Sequence, residues 1–451
     1  MTKRQKRWAI GLGSLLFLAF AGYFALTKVV DHYLQDGALD RTLGEKTAFI
    51  LKADAGYLPL SWRGWTVRSG GLLIRGKPPR GLSELRAANL RATCSLRDLW
   101  QRKSIVKRLR ADRLEVAFGA AAAEQLTPIL PAQPELQPQV ETPSLLKVEI
   151  RETIVDQTDV FWGTDPEGRG ALRGVLTKFH PNGSALDGIG TGGTVRQSGW
   201  PELRVLRVET HYAKPRLEVR SATFAIGKEQ DTTATGQFDF SEGGGGLNLH
   251  VQAKSAPVEP FLKGFWRGKF EGKITGDAQL EKKFKPDTKT SAAGELKILG
   301  AELHDVPMLD VIAALTRHPE FAHLKLSELR CRYAWTGDRL KVSGLRAEAK
   351  GLFRIEGDCV LENKQIDGSF EIGATAEVLK SIPCAREKVF TATHDGYFWT
   401  TVKLSGPLKH PREDLKERLV AAAQEELAKG FLAPLLKPGQ GILELLKSLY
   451  E

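Results

Sequence analysis

The stretch "FRIEGDCVLENKQIDGSFEIGA", Phe353 to Ala374, alternates with a period of two, and that alternation restricts what the chain can fold into more than any other feature. Phe353, Ile355, Gly357, Cys359 and Leu361 fall on one side of an extended chain, and Arg354, Glu356 and Asp358 on the other. The residues "ENKQ" supply turn chemistry, after which Ile366, Phe370 and Ile372 restart the pattern with Gly368 interleaved. The spacing predicts two strands with one oily face and one wet face.

The pattern recurs along most of the chain. In "LRVETHYAKPRLEVRSATFAIG", Leu206, Val208 and Tyr212 alternate with charged neighbours, and Leu217 and Val219 do so again. "ATGQFDFSEGGGGLNLHVQAK" and "WRGKFEGKITGDAQL" repeat it between glycine-rich turns, without a fixed repeat length. Helical spacing is confined to short stretches: near Val29 to Leu51, Ser95 to Lys103, Val306 to His323, and the tail from Pro411, where Leu415, Leu419 and Ala422 share a stripe. The segment "LTPILPAQPELQPQVETPS" carries five prolines and reads as an extended linker. The expected layout is an anchor at 1–30, a basic β-rich unit at 31–127, the proline-rich linker at 128–144 and a β-meander body at 145–300. A further β region with one helix follows at 301–410, and an amphipathic helical tail at 411–451.

The amino terminus assigns a compartment. "MTKRQKRWAIGLGSLLFLAFAGYFAL" places Lys3, Arg4, Lys6 and Arg7 before an uncharged run from Trp8 to Leu26. Its apolar side chains include Trp8, Ile10, Leu12, Leu15, Leu16, Phe17, Leu18, Phe20 and Phe24. As a helix the run spans about 28 Å, close to the roughly 30 Å hydrocarbon core of a bilayer. Positive charge stays cytoplasmic, so the remainder of the chain is expected outside the inner membrane. A cleaved signal peptide competes, because Ala19-Phe20-Ala21 has the small-x-small form of a cleavage site. The run continues through Tyr23, Phe24 and Leu26, which favours an uncleaved anchor.

Charge and composition narrow the partners. The net charge of +11 resides in Leu60 to Arg113, where fourteen Lys or Arg residues face Glu84, Asp98 and Asp112. A basic surface attracts acidic partners, although a solvated sheet face is the plainer reading. With only 8% aromatic residues and an exported body, nucleic acid is not the expected partner. Anionic lipid headgroups are, with Arg75, Arg91, Arg102 and Lys103 as candidates.

Catalytic and cofactor signatures are weak. "DGIGTGG" has Gly188, Gly190 and Gly193 at dinucleotide-loop spacing but lacks the flanking strand and helix, and is expected to be a glycine-rich loop. His318 and His323 lack helical ligand spacing, and no nucleophile elbow is present. The expected chain is non-enzymatic, with no cofactor and no metal. Cys94, Cys331, Cys359 and Cys384 have neither zinc spacing nor scaffold density. In a simple meander Cys331 and Cys359 sit two strands apart, roughly 10 Å, beyond the about 7 Å reach of a disulfide.

With so few helices, the oily strand faces must cover each other, as in a sandwich or barrel, or form a curved open trough that holds apolar chains. Phe238, Phe240, Leu249, Val251, Phe353, Ile355, Phe370 and Ile372 are the candidates for its wall.

From Gly294 to Asp414 the residues resemble the AsmA-like family of the Gram-negative envelope. "GELKILGAELHDVPMLDVIAAL" is similar to the family's strand and helix segment, and "GDRLKVSGLRAEAKGLFRIEGDCVLENKQIDGSFEIG" to its strand series. "VKLSGPLKHPRED" matches its closing pattern at Gly406, Leu408 and Pro411. The resemblance implies a single-pass inner-membrane protein with a periplasmic β-rich body and an extended, curved, groove-like antiparallel sheet. It also implies phospholipid binding or conduction, or support of outer-membrane assembly, with no catalytic residues. A docking protein with a closed β core and envelope protein partners is the alternative.

Overall fold

The strand pair Phe353–Glu362 and Gln365–Ala374 forms an antiparallel hairpin through the two-residue turn Asn363-Lys364. Both turn residues have positive φ, 50° and 62°, the arrangement whose twist matches that of the flanking strands. The computed structural model describes residues 38–427 apart from 64, 77–81, 95–103, 139–147, 164–167, 228–230, 242–244, 286–287, 307–308, 311–312, 314–317, 383 and 408–410. The candidate anchor from Trp8 to Phe24 and the helical stretch expected at Ser95 to Lys103 lie outside the described residues. Among the described residues no helix is long and apolar enough to cross a membrane. The chain is mainly β and divides into two units at Ala213 and Lys214.

The described part of the first unit begins with helix α1 (Ala38–Leu51). Strands β1 (Asp54–Tyr57) and β2 (Leu60–Arg63) then lie end to end along β3 (Thr66–Arg75). Strands β4 (Leu82–Cys94) and β5 (Ser104–Phe118) follow antiparallel. After a single helical turn, α2 (Ala120–Ala123), strands β6 (Val148–Ile150) and β7 (Thr153–Trp162) pair with β5 in parallel. This corrects the expected all-antiparallel sheet, and the reason is the proline-rich segment. Parallel neighbours need a crossover of a dozen or more residues, and residues 119–147 supply it.

The described part of the segment expected to separate two domains is a strap held to one of them. Thr127 donates from its amide and hydroxyl to the buried Glu115 carboxylate. Leu130 fills the space over Gly71, where a Cβ would collide with it. Ala55 and Gln137 exchange backbone hydrogen bonds at 3.1 and 2.8 Å, covering the outer edge of β1. Beneath the strap, Arg113 holds Glu115 and Asp159, each at 2.9 Å, so two buried carboxylates share one guanidinium.

Strands β8 (Gly170–Asn182), β9 (Ala185–Thr191), β10 (Thr194–Gln197) and β11 (Leu203–Ala213) complete the unit. The "DGIGTGG" loop is in fact strand β9 followed by a turn at Gly192-Gly193, with φ 73° and 83°. Gly188 lies between Thr210 and Phe179, where a Cβ would sit 2.5 Å from the Thr210 hydroxyl and 3.2 Å from the ring, so the glycine serves packing.

The second unit is antiparallel in every described pairing. Its order begins β12 (Arg216–Ala225), β13 (Thr232–Asp239), β14 (Gly246–Pro257), β15 (Phe270–Lys283) and β16 (Ser291–His304). Strands β17 (His323–Leu326) and β18 (Glu328–Thr336) share the next edge, followed by β19 (Arg339–Ala349), β20 (Phe353–Glu362) and β21 (Gln365–Ala374). Helices α3 (Ala376–Lys380) and α4 (Ala385–Lys388) precede β22 (Ala392–His394), β23 (Tyr397–Pro407) and β24 (Arg412–Glu413), and α5 (Leu415–Leu427) ends the described chain. The meander from β18 to β20 is as expected, with Cys331 and Cys359 on its outer strands. All four cysteines are free, and burial pushes the thiols of Cys94, Cys331 and Cys359 up.

One end of this sheet carries a closed core. Val306, Leu309, Phe321, Leu324, Val378, Leu379, Val389 and Phe390 are buried together, with Leu415, Leu419 and Ala422 of α5 against them. The helix expected from Val306 to His323 ends early: Pro319–Phe321 is a 3-10 turn and His323 already belongs to β17. Phe321 is 4% exposed and stacks on Phe353 at 6.0 Å between centroids. Replacing Phe321 by Ala should cost about 3–5 kcal/mol of stability, read as a lower denaturation midpoint of the second unit.

Candidate apolar binding face

Directly opposed residues in an antiparallel sheet share a face, so the register decides which side chains meet. Across the second unit one row runs Val219, Gly236, Leu249, Leu280, Ala292, Trp335, Leu340, Leu361, Ile366, Gly406. All of its members are apolar or glycine, over ten adjacent strands and roughly 43 Å at about 4.8 Å per step. Parallel to it run Ala234, Val251 and Ala278 on β13 to β15, and Ala347, Ile355 and Ile372 on β19 to β21. Large and small residues alternate across strands: Phe370 lies opposite Gly357, and Gly368 opposite Cys359.

The face keeps its phase through irregularities. Register shifts at Lys254/Ala256 and Val342/Leu345 coincide with positive φ at Ser255 (65°) and Gly344 (58°). Each bulge absorbs an extra residue, so Val342 and Leu345, three apart in sequence, stay on the same side.

Among the described residues no member of this row is fully buried. Nine of its members are half-buried, and Trp335 is 38% exposed. In the helical core of the same unit Leu324 and Leu379 are each 2% exposed. Leucine, isoleucine and valine are ordinarily among the most completely buried residues, so the row lacks the cover that the core has.

The eight predicted wall residues do lie on this face, but they divide. Leu249 and Val251 on β14, Ile355 on β20 and Phe370 on β21 are half-buried in its open part. Phe238 stacks on Phe240 at 6.4 Å, and Phe240, just past β13, is 50% exposed. Phe353 and Ile372 instead pack against the helical core and belong to its closed end. The first unit has a comparable row, Ala55, Ile74, Leu85, Val116, Val160, Leu172, Val195, Leu203, of which Ala55, Ile74 and Val116 are buried.

The wet faces hold charge ladders. In the first unit Arg68, Arg91 and Arg110 lie in one row, with Arg91 on Asp112 at 3.1 Å and Arg110 on Asp156 at 2.9 Å. Arg91 and Arg110 are thus answered by local carboxylates, and Arg75 lies apart from Arg91. Arg75, exposed at the end of β3, is seven residues beyond Arg68, about 23 Å along the strand. Arg102 and Lys103 lie outside the described residues. Among the described residues no three His, Cys, Asp or Glu side chains group as metal ligands.

Sequence reasoning missed three features. Lys282, opposite Leu247, is the one charged side chain among the described positions of the apolar face from β12 to β21. Phe284, 47% exposed, stacks on Phe240 at 6.2 Å. Both continue the alternation from Leu280 and were legible in that spacing. The bulges were not, because they depend on backbone angles. Comparison with protein-family models, curated proteins and solved structures found no match.

On the wet face of the second unit, Glu348 accepts hydrogen bonds from Arg354 and from the Tyr397 hydroxyl, each at 3.0 Å. Burial opposes ionisation of Glu348, but the hydrogen bonds and the neighbouring Arg354 and Arg346 outweigh it, and its pKa falls below the ordinary 4.5. A depressed carboxyl pKa contributes stability that is present above 4.5 and is lost as pH falls toward the folded value. Glu348→Gln should therefore flatten the loss of stability with acid below pH 4.5 in denaturation series.

Proposed function

We propose that this chain is a non-enzymatic, inner-membrane-anchored envelope protein that holds phospholipid acyl chains on the apolar sheet face of its second unit. The observation that carries the reading is the ten-strand row from Val219 to Gly406, apolar throughout yet with none of its members fully buried. A half-exposed apolar row of this length on a folded chain marks an interaction surface, and alkyl chains match its chemistry without polar partners. The resemblance of Gly294 to Asp414 to the AsmA-like family points the same way. Placement at the membrane rests on the apolar run from Trp8 to Leu26 alone.

The second reading, a docking protein whose sheet covers itself, draws on the helical core around Phe321 and Leu379. That core covers the end at Phe353 and Ile372 and leaves the row from Leu249 to Ile366 half-buried. The acyl-chain reading accounts for both.

The test is lipid retention by the purified full chain. Mass spectrometry should find co-purified phospholipid, and a photoreactive residue at Val251 or Phe370 should crosslink to it. Leu249→Asp with Leu280→Asp places two carboxylates in the row and should cut bound lipid about tenfold or more. A folded wild-type chain with no lipid, and no crosslinks at either position, would sink the reading.

A further inference from the structure

The two ends of the apolar face differ. Toward Ala349, Phe353 and Ala374 it runs into the buried helical core, and on β14 Ala256 and the following Val258 are buried as well. At the opposite end the strands are joined by turns such as Gly337-Asp338 and Asn363-Lys364. There Trp335, Phe240 and Phe284 remain exposed. An amphiphile lying on this face finds water for its polar group at the turn end.

Lys282 lies at that end. It sits on the apolar side of β15, opposite Leu247 and two residues past Leu280. Beside it the rings of Phe238, Phe240 and Phe284 stack in series at 6.4 and 6.2 Å. Aromatic rings at the boundary of an apolar region and water suit the headgroup level of a lipid. A lysine there lays its methylenes on apolar surface and presents an ammonium to an anion. From Lys282 to Ile274, the apolar side of β15 extends eight residues, about 26 Å at about 3.3 Å per residue. One leaflet contributes about 15 Å of a roughly 30 Å hydrocarbon core, so a single acyl chain fits along the strand.

We infer that phospholipid lies parallel to the strands, with its phosphate at Lys282 and its acyl chains directed toward the helix-closed end. The inference rests on the acyl-binding reading above and adds the polarity and the headgroup contact. It selects phosphate-bearing lipids over neutral lipids with the same chains.

The full chain, purified with a photoreactive residue at Val251, is loaded with dioleoylphosphatidylglycerol or with dioleoylglycerol, which lacks the phosphate. The wild type should hold the phospholipid about tenfold more tightly, the worth of one charge-assisted hydrogen bond. Lys282→Glu should abolish that preference and Lys282→Arg should keep it, while Val251 crosslinks persist in both. Phosphatidylglycerol with a photoreactive headgroup should label a site at Phe284 and not at Ile372. A preference that survives Lys282→Glu, or headgroup label at Ile372, overturns the inference and leaves the acyl-binding reading standing. A folded wild type that holds no lipid and crosslinks at neither Val251 nor Phe370 removes that reading, and the inference with it.

Discussion

The structure depends on strand register. Because side chains alternate, a slip of one residue between any two neighbouring strands would turn an apolar set outward and break the row from Val219 to Gly406. What holds the register is local. The Asn363-Lys364 turn fixes one hairpin, and complementary volumes fix others, as where Gly357 accommodates Phe370. Bulges at Ser255 and Gly344 place extra residues where they correct the phase rather than invert it.

Within the second unit this ordered face meets two different surroundings. At one end the core around Phe321 and Leu379 gives the sheet the closed packing that anchors a folded domain. Away from it, the same kind of side chain stays half-buried. The wet side is stabilised differently, by ion pairs that link Arg346 to Glu328, Glu348 and Glu356 across three strands. With the charge on one side answered within the sheet, the other side is left to apolar contact.

Much of this was legible in the sequence. The hairpin from Phe353 to Ala374, the meander around Cys331 and Cys359, and the shared face of Leu249, Val251, Ile355 and Phe370 all follow from period-two spacing. What spacing does not carry is which neighbour a strand pairs with. For that reason the spacing does not show the parallel join of β5 to β7, and the proline-rich stretch reads as a linker. Covering is likewise tertiary: nothing in their own strands distinguishes Phe353 and Ile372, which meet helices, from Ile355 and Phe370, which do not. Gly188 and Gly190 read as a loop because glycine in a strand is justified only by a partner such as Phe179, supplied by another strand.

The clasp between Ala55 and Gln137 sets an order of assembly. Strands β1 to β5 are contiguous in the chain and pair by short-range hairpins, and among the described residues the outer edge of β1 is paired by the strap from beyond β5. Closing that long loop is slower than forming the hairpins it encloses. Until it closes, β1 presents unpaired backbone groups to any other extended chain. Among the described residues the clasp thus ties the protection of a strand laid down early in the chain to a segment that follows β5.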